Sequence, residues 1–231
     1  MSAPSRRLGT ALGVVLLANA LATQISSIVG LSGFLSDIGV SQLLIVWLID
    51  DVSILAVSAG QAFLVDRFNR LTLMRWVALT FGLALVAIRL LGLTGLPGWL
   101  TYALLYGVSE QQFLFFPLIF WVLAEDGLQH RERERLFPVI GSYGLVGKLL
   151  GIALSGVAPV VLHAAGADVL DVLYVDAGMY VLAWAVVEFR LRDLPIRGRF
   201  VAPATAVAVL TEGFAFVKSV PAFRYIAFSS V

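Results

Sequence analysis

The chain has 231 residues, of which 60% are apolar and 13% are charged, and its formal net charge is +1. This composition excludes an ordinary water-soluble domain, because too few polar side chains are available to cover its folded surface. The sequence contains no cysteine, which excludes disulfides, thiolate metal sites and cysteine nucleophiles.

Six apolar runs follow one another, each near the roughly 20 residues that a helix needs to cross a hydrocarbon core of about 30 Å. They span residues 8–30, 43–64, 71–93, 100–123, 137–162 and 169–189. Since a helix satisfies its own backbone hydrogen bonds in lipid, the sequence predicts an all-α membrane protein with a six-transmembrane-helix bundle over residues 1–189. A signal peptide cleaved near Ala20 is the alternative for the first run, but the run continues well past that site.

The loops between the runs predict the orientation. Arginine recurs in the N-terminal segment and in the segments 66–70, 125–136 and 190–199, whereas the segments 33–41, 94–99 and 163–168 contain neither Lys nor Arg. Because short basic loops stay in the cytoplasm, the N-terminus is predicted to be cytoplasmic. The single basic side and the abundance of Ala, Leu and Arg favour a bacterial inner membrane, with an organellar membrane as the alternative.

The last part of the chain differs from the six runs. Residues 190–220 are predicted to form a cytoplasmic connector, and the apolar residues 221–231 are too few to span a membrane. They are interpreted as the start of a seventh transmembrane helix, as if a longer protein were cut in its middle. A short amphipathic tail on the membrane surface is the alternative.

Polar and charged side chains inside the runs are the candidates for a substrate or proton pathway, because a charge at the membrane centre costs about 2.5–3.5 kcal/mol. These candidates are Asn19, Asp50, Asp51, Glu110, Gln111 and Lys148. Counting 1.5 Å per residue places Glu110 and Lys148 at similar depths, where they are able to form a buried ion pair. Such a pair either only joins two helices or binds a substrate group or a coupling proton.

Two further features of the charged residues follow from helix geometry. Asp50 and Asp51 point about 100 degrees apart on a helix, so one is expected to line a cavity and the other to pack sideways. Arg89 lies near the end of the third run and is expected to extend its guanidinium to the outer interface. Asp176 is a further charge in the outer part of the sixth run.

Glycine and proline indicate how the helices pack. The fifth run contains Gly141, Gly144, Gly147, Gly151 and Gly156, which would let a neighbouring helix approach closely. Pro117 and Pro159 are expected to kink their helices, whereas Pro138, near a boundary, is expected to mark a helix end. The alternating Arg and Glu of residues 131–135 are interpreted as a solvated helical or loop face on the cytoplasmic side.

The segment Asp66-Arg67-Phe68-Asn69-Arg70 resembles the cytoplasmic loop signature of the major facilitator superfamily, which is roughly G-x-x-x-D-R-x-G-R-R. Asp66, Arg67 and Arg70 match this signature, whereas Ala62, Asn69 and Leu71 depart from it. The resemblance implies a bundle similar to the N-terminal six-helix half of such a transporter. It also implies that Asp66, Arg67 and Arg70 act as a conformational latch that braces the ends of neighbouring helices.

A narrower similarity, to the ATP/ADP translocase-like branch of that superfamily, rests on Phe120-Trp121, residues 135–138 and Gly141. It does not specify a substrate.

The sequence therefore predicts a secondary active transporter that moves a small polar or charged solute by alternating access, with proton coupling or exchange. Its expected partners are the lipid bilayer, the solute, and a second six-helix half or a second copy. The alternatives are a non-transporting membrane partner or homodimerising half, and an intramembrane enzyme. The enzyme is disfavoured because neither G-x-S-x-G nor H-E-x-x-H occurs. No cofactor, metal or nucleic-acid partner is predicted.

Overall fold

A computed structural model describes residues 3–42 and 68–192, with residues 44, 47, 48, 50–52 and 54 between them. Within these residues the chain forms five α-helices: α1 (Ala3–Ile38), α2 (Arg70–Gly92), α3 (Gly98–Gly127), α4 (His130–Ala164) and α5 (Leu173–Arg190). Short 3-10 helices cover Val40–Gln42 and Val169–Val172. All five α-helices, α5 with the preceding 3-10 turn, lie in segments long and apolar enough to cross a membrane. The described chain is that of an all-helical membrane protein.

Several predictions concern residues that the structure does not describe. Most of the second run, 43–64, is among them, as are the connector beyond residue 192 and the proposed start of a seventh helix. These predictions lie outside the described residues and stay predictions.

Helix α1 lies at the centre of the described bundle, where it packs against α3, α4 and α5, while α2 packs against α3 and α5. Near the start of both helices, Gly9 of α1 lies beside Leu136 of α4. Further along both, Leu17 of α1 lies beside Gly147 of α4, so the two helices run in the same direction. Helix α2 is antiparallel to α5. The central position of α1 follows from its composition, since it has no charged side chain between Arg7 and Asp37.

Glycines of α4 allow α1 and α4 to approach closely. The sequence predicts this for five glycines, and Gly147 and Gly151 show it most clearly. A Cβ atom added at Gly147 would lie 2.5 Å from the carbonyl oxygen of Leu17, and one at Gly151 would lie 2.8 Å from that of Leu21. The two backbones are therefore in direct contact. Gly141 and Gly156 differ, because a Cβ added at either would meet nothing within 4 Å.

Two boundaries differ from the prediction. Helix α4 begins at His130, so residues 131–135 are helical and only residues 128–129 separate it from α3. Arg and Glu are strong helix formers, which explains the extension. Pro138 lies inside α4 and does not end a helix, because a membrane helix tolerates the loss of one backbone donor. Helix α1 also continues through the predicted loop to Ile38, and Gly39 follows with a φ of 85°.

Most of the described arginines gather at one end of the bundle, which we call the basic end. Arg6, Arg7 and Arg190 border a single groove there, and Arg70 forms an ion pair with Asp126. At the opposite end, Arg89 does not extend freely to the interface. Its side chain is buried, and its Nε lies 2.7 Å from Oδ1 of Asp171. A carboxylate on the adjoining 3-10 turn therefore holds the guanidinium inside the bundle.

Candidate functional site

A cleft of about 630 Å³ lies between α1, α3 and α4, and we call it the central cleft. Its polar lining residues are Asn19, Thr23, Gln24, Ser27, Ser109, Glu110 and Lys148. Small-molecule sites in proteins typically enclose about 300–1,000 Å³. The central cleft thus has the size and polarity to hold a small polar molecule, in a bundle whose surface is otherwise mostly apolar.

Glu110 and Lys148 both line the central cleft, as their predicted depths imply. At 1.5 Å per residue, Glu110 lies about 26 Å from the end of α3 at Gly127, and Lys148 lies about 27 Å from the start of α4 at His130. Among the described residues, however, no ion pair joins them. The Lys148 ammonium lies over the Phe113 ring, 5.6 Å from its centroid. The cleft therefore presents one acidic and one basic group that do not neutralise each other.

The second predicted span contributes a carboxylate to the same region. Asp50 is buried and Asp51 is exposed, which agrees with the expected difference in direction, but neither is among the residues that line the central cleft. The Glu110 carboxylate interacts with the Tyr106 side chain and is close enough to Asp50 for the two carboxylates to repel each other. Asp50 therefore lies within electrostatic range of Glu110, although it does not line the central cleft.

The two glutamines that follow Glu110 do not line the central cleft. Gln112 is fully buried, and Gln111 is half-buried. In the described part of the chain, the amide atoms of both side chains lack hydrogen-bond partners. Since successive helical residues point about 100 degrees apart, only part of the polar patch around Glu110 is able to face one cleft.

Of the three residues predicted to form a latch, only Arg70 is described. Its pairing with Asp126 joins the beginning of α2 to the end of α3 at the basic end. Asp66 and Arg67 lie outside the described residues.

Aromatic side chains flank the central cleft towards the basic end. Trp121 of α3 lines the cleft and makes edge contacts with Phe120 and with Phe137 of α4, with ring centroids 5.2 Å apart in each pair. Gly141 and Gly144 of α4 also line the cleft, and an added Cβ at Gly141 would meet nothing within 4 Å, so the missing side chain there leaves room. The Trp121–Phe137 contact therefore connects α3 to α4 beside the cleft.

A second polar cluster, which sequence reasoning did not assemble, lies between α1 and α5. The Ser26 hydroxyl donates to Oδ2 of Asp176 at 2.8 Å, and the Tyr180 hydroxyl donates to Oδ1 of Asn19 at 2.8 Å. Asp176 was noted in the sequence only as an isolated charge. The missed signal was the spacing of Asn19, Thr23 and Ser26, which places three polar side chains on one stripe of an apolar helix.

Comparisons with known proteins found no matching family model, no matching curated protein and no matching solved structure. The class of protein therefore follows from the fold and the site without help from relatives. It is an all-helical membrane protein with a polar cleft that presents charges of both signs.

Proposed function

We propose that this protein is a secondary active transporter, which moves a small polar or charged solute by alternating access with proton coupling or exchange. The observation that supports this most strongly is the pair Glu110 and Lys148, which face one open cleft far from the basic end of the bundle without pairing; Glu110 is half-buried and Lys148 is exposed to the cleft side. Charges inside a membrane protein are costly, and they typically mark substrate or ion pathways.

A solute that carries both an ammonium and a carboxylate fits this arrangement best. Its ammonium would offset the charge of Glu110, and its carboxylate would offset that of Lys148. Each hydrogen bond to a charged group contributes about 1.5–3 kcal/mol. Neutral hydroxyl and amide groups on Ser27, Ser109 and Gln24 would then hydrogen-bond the remainder of the solute.

The packing of the helices supports alternating access. Counting the predicted second span, α1, α2, α3 and α5 are the first, third, fourth and sixth spans. If the first span is exchanged with the fourth (α1 with α3) and the third with the sixth (α2 with α5), the observed contact between α1 and α5 becomes a contact between α3 and α2. That contact is also present. The α1–α3 and α2–α5 contacts are each unchanged by this exchange. Such internal symmetry is expected of the inverted three-helix repeats found in many transporters.

We further propose that the chain is similar to one half of a major facilitator superfamily transporter in a bacterial inner membrane, with the basic end in the cytoplasm. The Arg70–Asp126 ion pair supports the bracing role that the resemblance implies for this loop. A second six-helix half, or a second copy, would then complete the solute site from the other side.

The alternative is a non-transporting membrane partner or a homodimerising half. The outward face of α4 favours it, because Leu149, Ile152 and Val160 are exposed, lie outside the central cleft and are available to another helical bundle. Lipid would cover the same face in a transporter. Transport activity therefore decides between the two.

The test is uptake into proteoliposomes, with the protein expressed from its complete natural reading frame and offered a panel of amino acids, nucleotides, sugars and drugs. Glu110→Gln or Lys148→Ala should reduce the apparent affinity for a transported zwitterion about 10- to 100-fold, since each removes one charged contact. Glu125→Gln is the control, because its carboxylate lies on the same helix but outside the cleft. Absence of transport by the wild-type protein, or equal effects of all three variants, would contradict the proposal.

A further inference from the structure

Asp176 occupies a place where a charge is not expected. It lies in the first turn of α5, and its side chain is completely buried between helices. Oδ2 accepts a hydrogen bond from Ser26, whereas Oδ1 is buried and has no hydrogen-bond partner among the described residues. One carboxyl oxygen is therefore left without the partner that a buried polar atom normally has.

No basic side chain on the elements packed against Asp176 compensates its charge in the described structure. Helix α1 contributes hydroxyl and amide groups there and has no charged residue between Arg7 and Asp37. On α2, Arg75 is paired with Glu188 and Arg89 with Asp171 of the 3-10 turn.

The basic residue that begins α2, Arg70, is paired with Asp126 at the basic end. On α5 itself, the remaining charged residues are Glu188 and Arg190, three turns or more away. An ionised Asp176 would therefore have no counter-charge among these groups.

Polar side chains connect Asp176 with the central cleft. Helices α1 and α5 are antiparallel at this contact, because Asn19 pairs with Tyr180 and Ser26 with Asp176. Thr23 lies between Asn19 and Ser26 on the same stripe of α1. Asn19 and Thr23 also line the central cleft, so this stripe is shared by the cleft and the buried carboxyl group.

We propose that Asp176 is a coupling-proton site, at which a proton taken from water in the central cleft binds to Oδ1 and later returns to the cleft. Protonation forms the Oδ1–H bond and breaks one O–H bond of a hydronium ion in the cleft, which becomes water; the carboxylate is neutralised, so no other counter-ion is needed. A single free carboxylate oxygen suits a proton better than a hard metal cation, which takes six or more oxygen ligands. This inference rests on the proposed transport function, because it assigns the proton that would drive it.

The first test needs no solute. In infrared difference spectra of the reconstituted protein, with bulk pH as the only variable, every carboxyl group that titrates contributes a C=O stretch, so the spectrum of each variant is subtracted from that of the wild-type protein. Subtracting the spectrum of Asp176→Asn, which preserves shape, should leave one C=O band that belongs to Asp176, and Asp51→Asn, at an exposed carboxylate, should not remove that band. Ser26→Ala should shift its frequency, because it removes the hydrogen bond to Oδ2. A wild-type spectrum that does not differ from the Asp176→Asn spectrum in the carboxylic-acid C=O region at any pH would overturn the proposal.

The second test separates this inference from the proposed function. For a solute that the wild-type protein accumulates under an inward proton gradient, Asp176→Asn should lose accumulation above the external concentration but retain solute exchange without a gradient. Accumulation that remains at the wild-type level would overturn the inference and leave transport established. If the wild-type protein transports no solute, the transport proposal fails, while the infrared band still reports whether Asp176 binds a proton. Melting temperatures of both proteins establish that the variant is folded.

Discussion

Replacing Gly147 by Ala tests the close contact between α1 and α4. The new Cβ atom would lie 2.5 Å from the Leu17 carbonyl oxygen and 3.1 Å from the Ala20 Cβ. A carbon–oxygen contact normally requires about 3.3–3.6 Å, so the helices would have to separate by about 1 Å. The obstacle is backbone, which rotation of a side chain cannot relieve. Overpacking of this kind typically costs about 1–3 kcal/mol.

Gly156→Ala is the matched control on the same helix, because an added Cβ there meets nothing within 4 Å. Both replacements gain a similar amount from the lower backbone entropy of alanine, about 0.5–1 kcal/mol. The difference between the two variants therefore isolates the packing cost. We expect Gly147→Ala to be about 1–3 kcal/mol less stable than Gly156→Ala in denaturant-induced unfolding from mixed micelles. Equal stabilities would refute the close α1–α4 contact.

Two further predictions concern polar contacts between helices. Tyr180→Phe removes the hydroxyl that donates to Asn19 and should lower the free energy of unfolding by about 1 kcal/mol. A double-mutant cycle with Asn19→Ala checks this prediction. Additive effects of the two replacements would contradict the contact. Arg89→Ala removes a buried guanidinium and its ion pair with the partly exposed Asp171, and should cost about 1–3 kcal/mol at low salt. The loss should shrink as salt is added, so a salt-independent loss measured by the same unfolding assay would argue against an electrostatic cause.

The sequence was informative where a property depends on distance along one helix. Helix spans follow from apolar length, and counting residues placed Glu110 and Lys148 at the same depth, where the structure has both on one cleft. It was less informative where a property depends on the face that a neighbouring helix presents. The Lys148 ammonium lies over Phe113, and no pattern within α4 could indicate that ring.

Asp176 illustrates the same difference. Its sequence position indicates an intramembrane charge, but the contact with Ser26 depends on how α1 is rotated within the bundle. The start of α4 was missed for another reason. The alternating charges of residues 131–135 indicate solvent exposure, and a solvated segment is compatible with either a loop or a helix extending beyond the membrane.

The account is tested most directly by the accessibility of one cysteine in the central cleft. These 231 residues contain no cysteine, so Ser27→Cys introduces a single thiol into them, in the cleft lining and with little change in volume. Membrane-impermeant alkylating reagents should label it from either side of the membrane, and an imposed solute gradient should change the ratio of the two rates. Val160→Cys, at an exposed position of α4 outside the cleft, should not respond to the gradient. Labelling of Ser27→Cys from the same single side under every gradient would contradict alternating access.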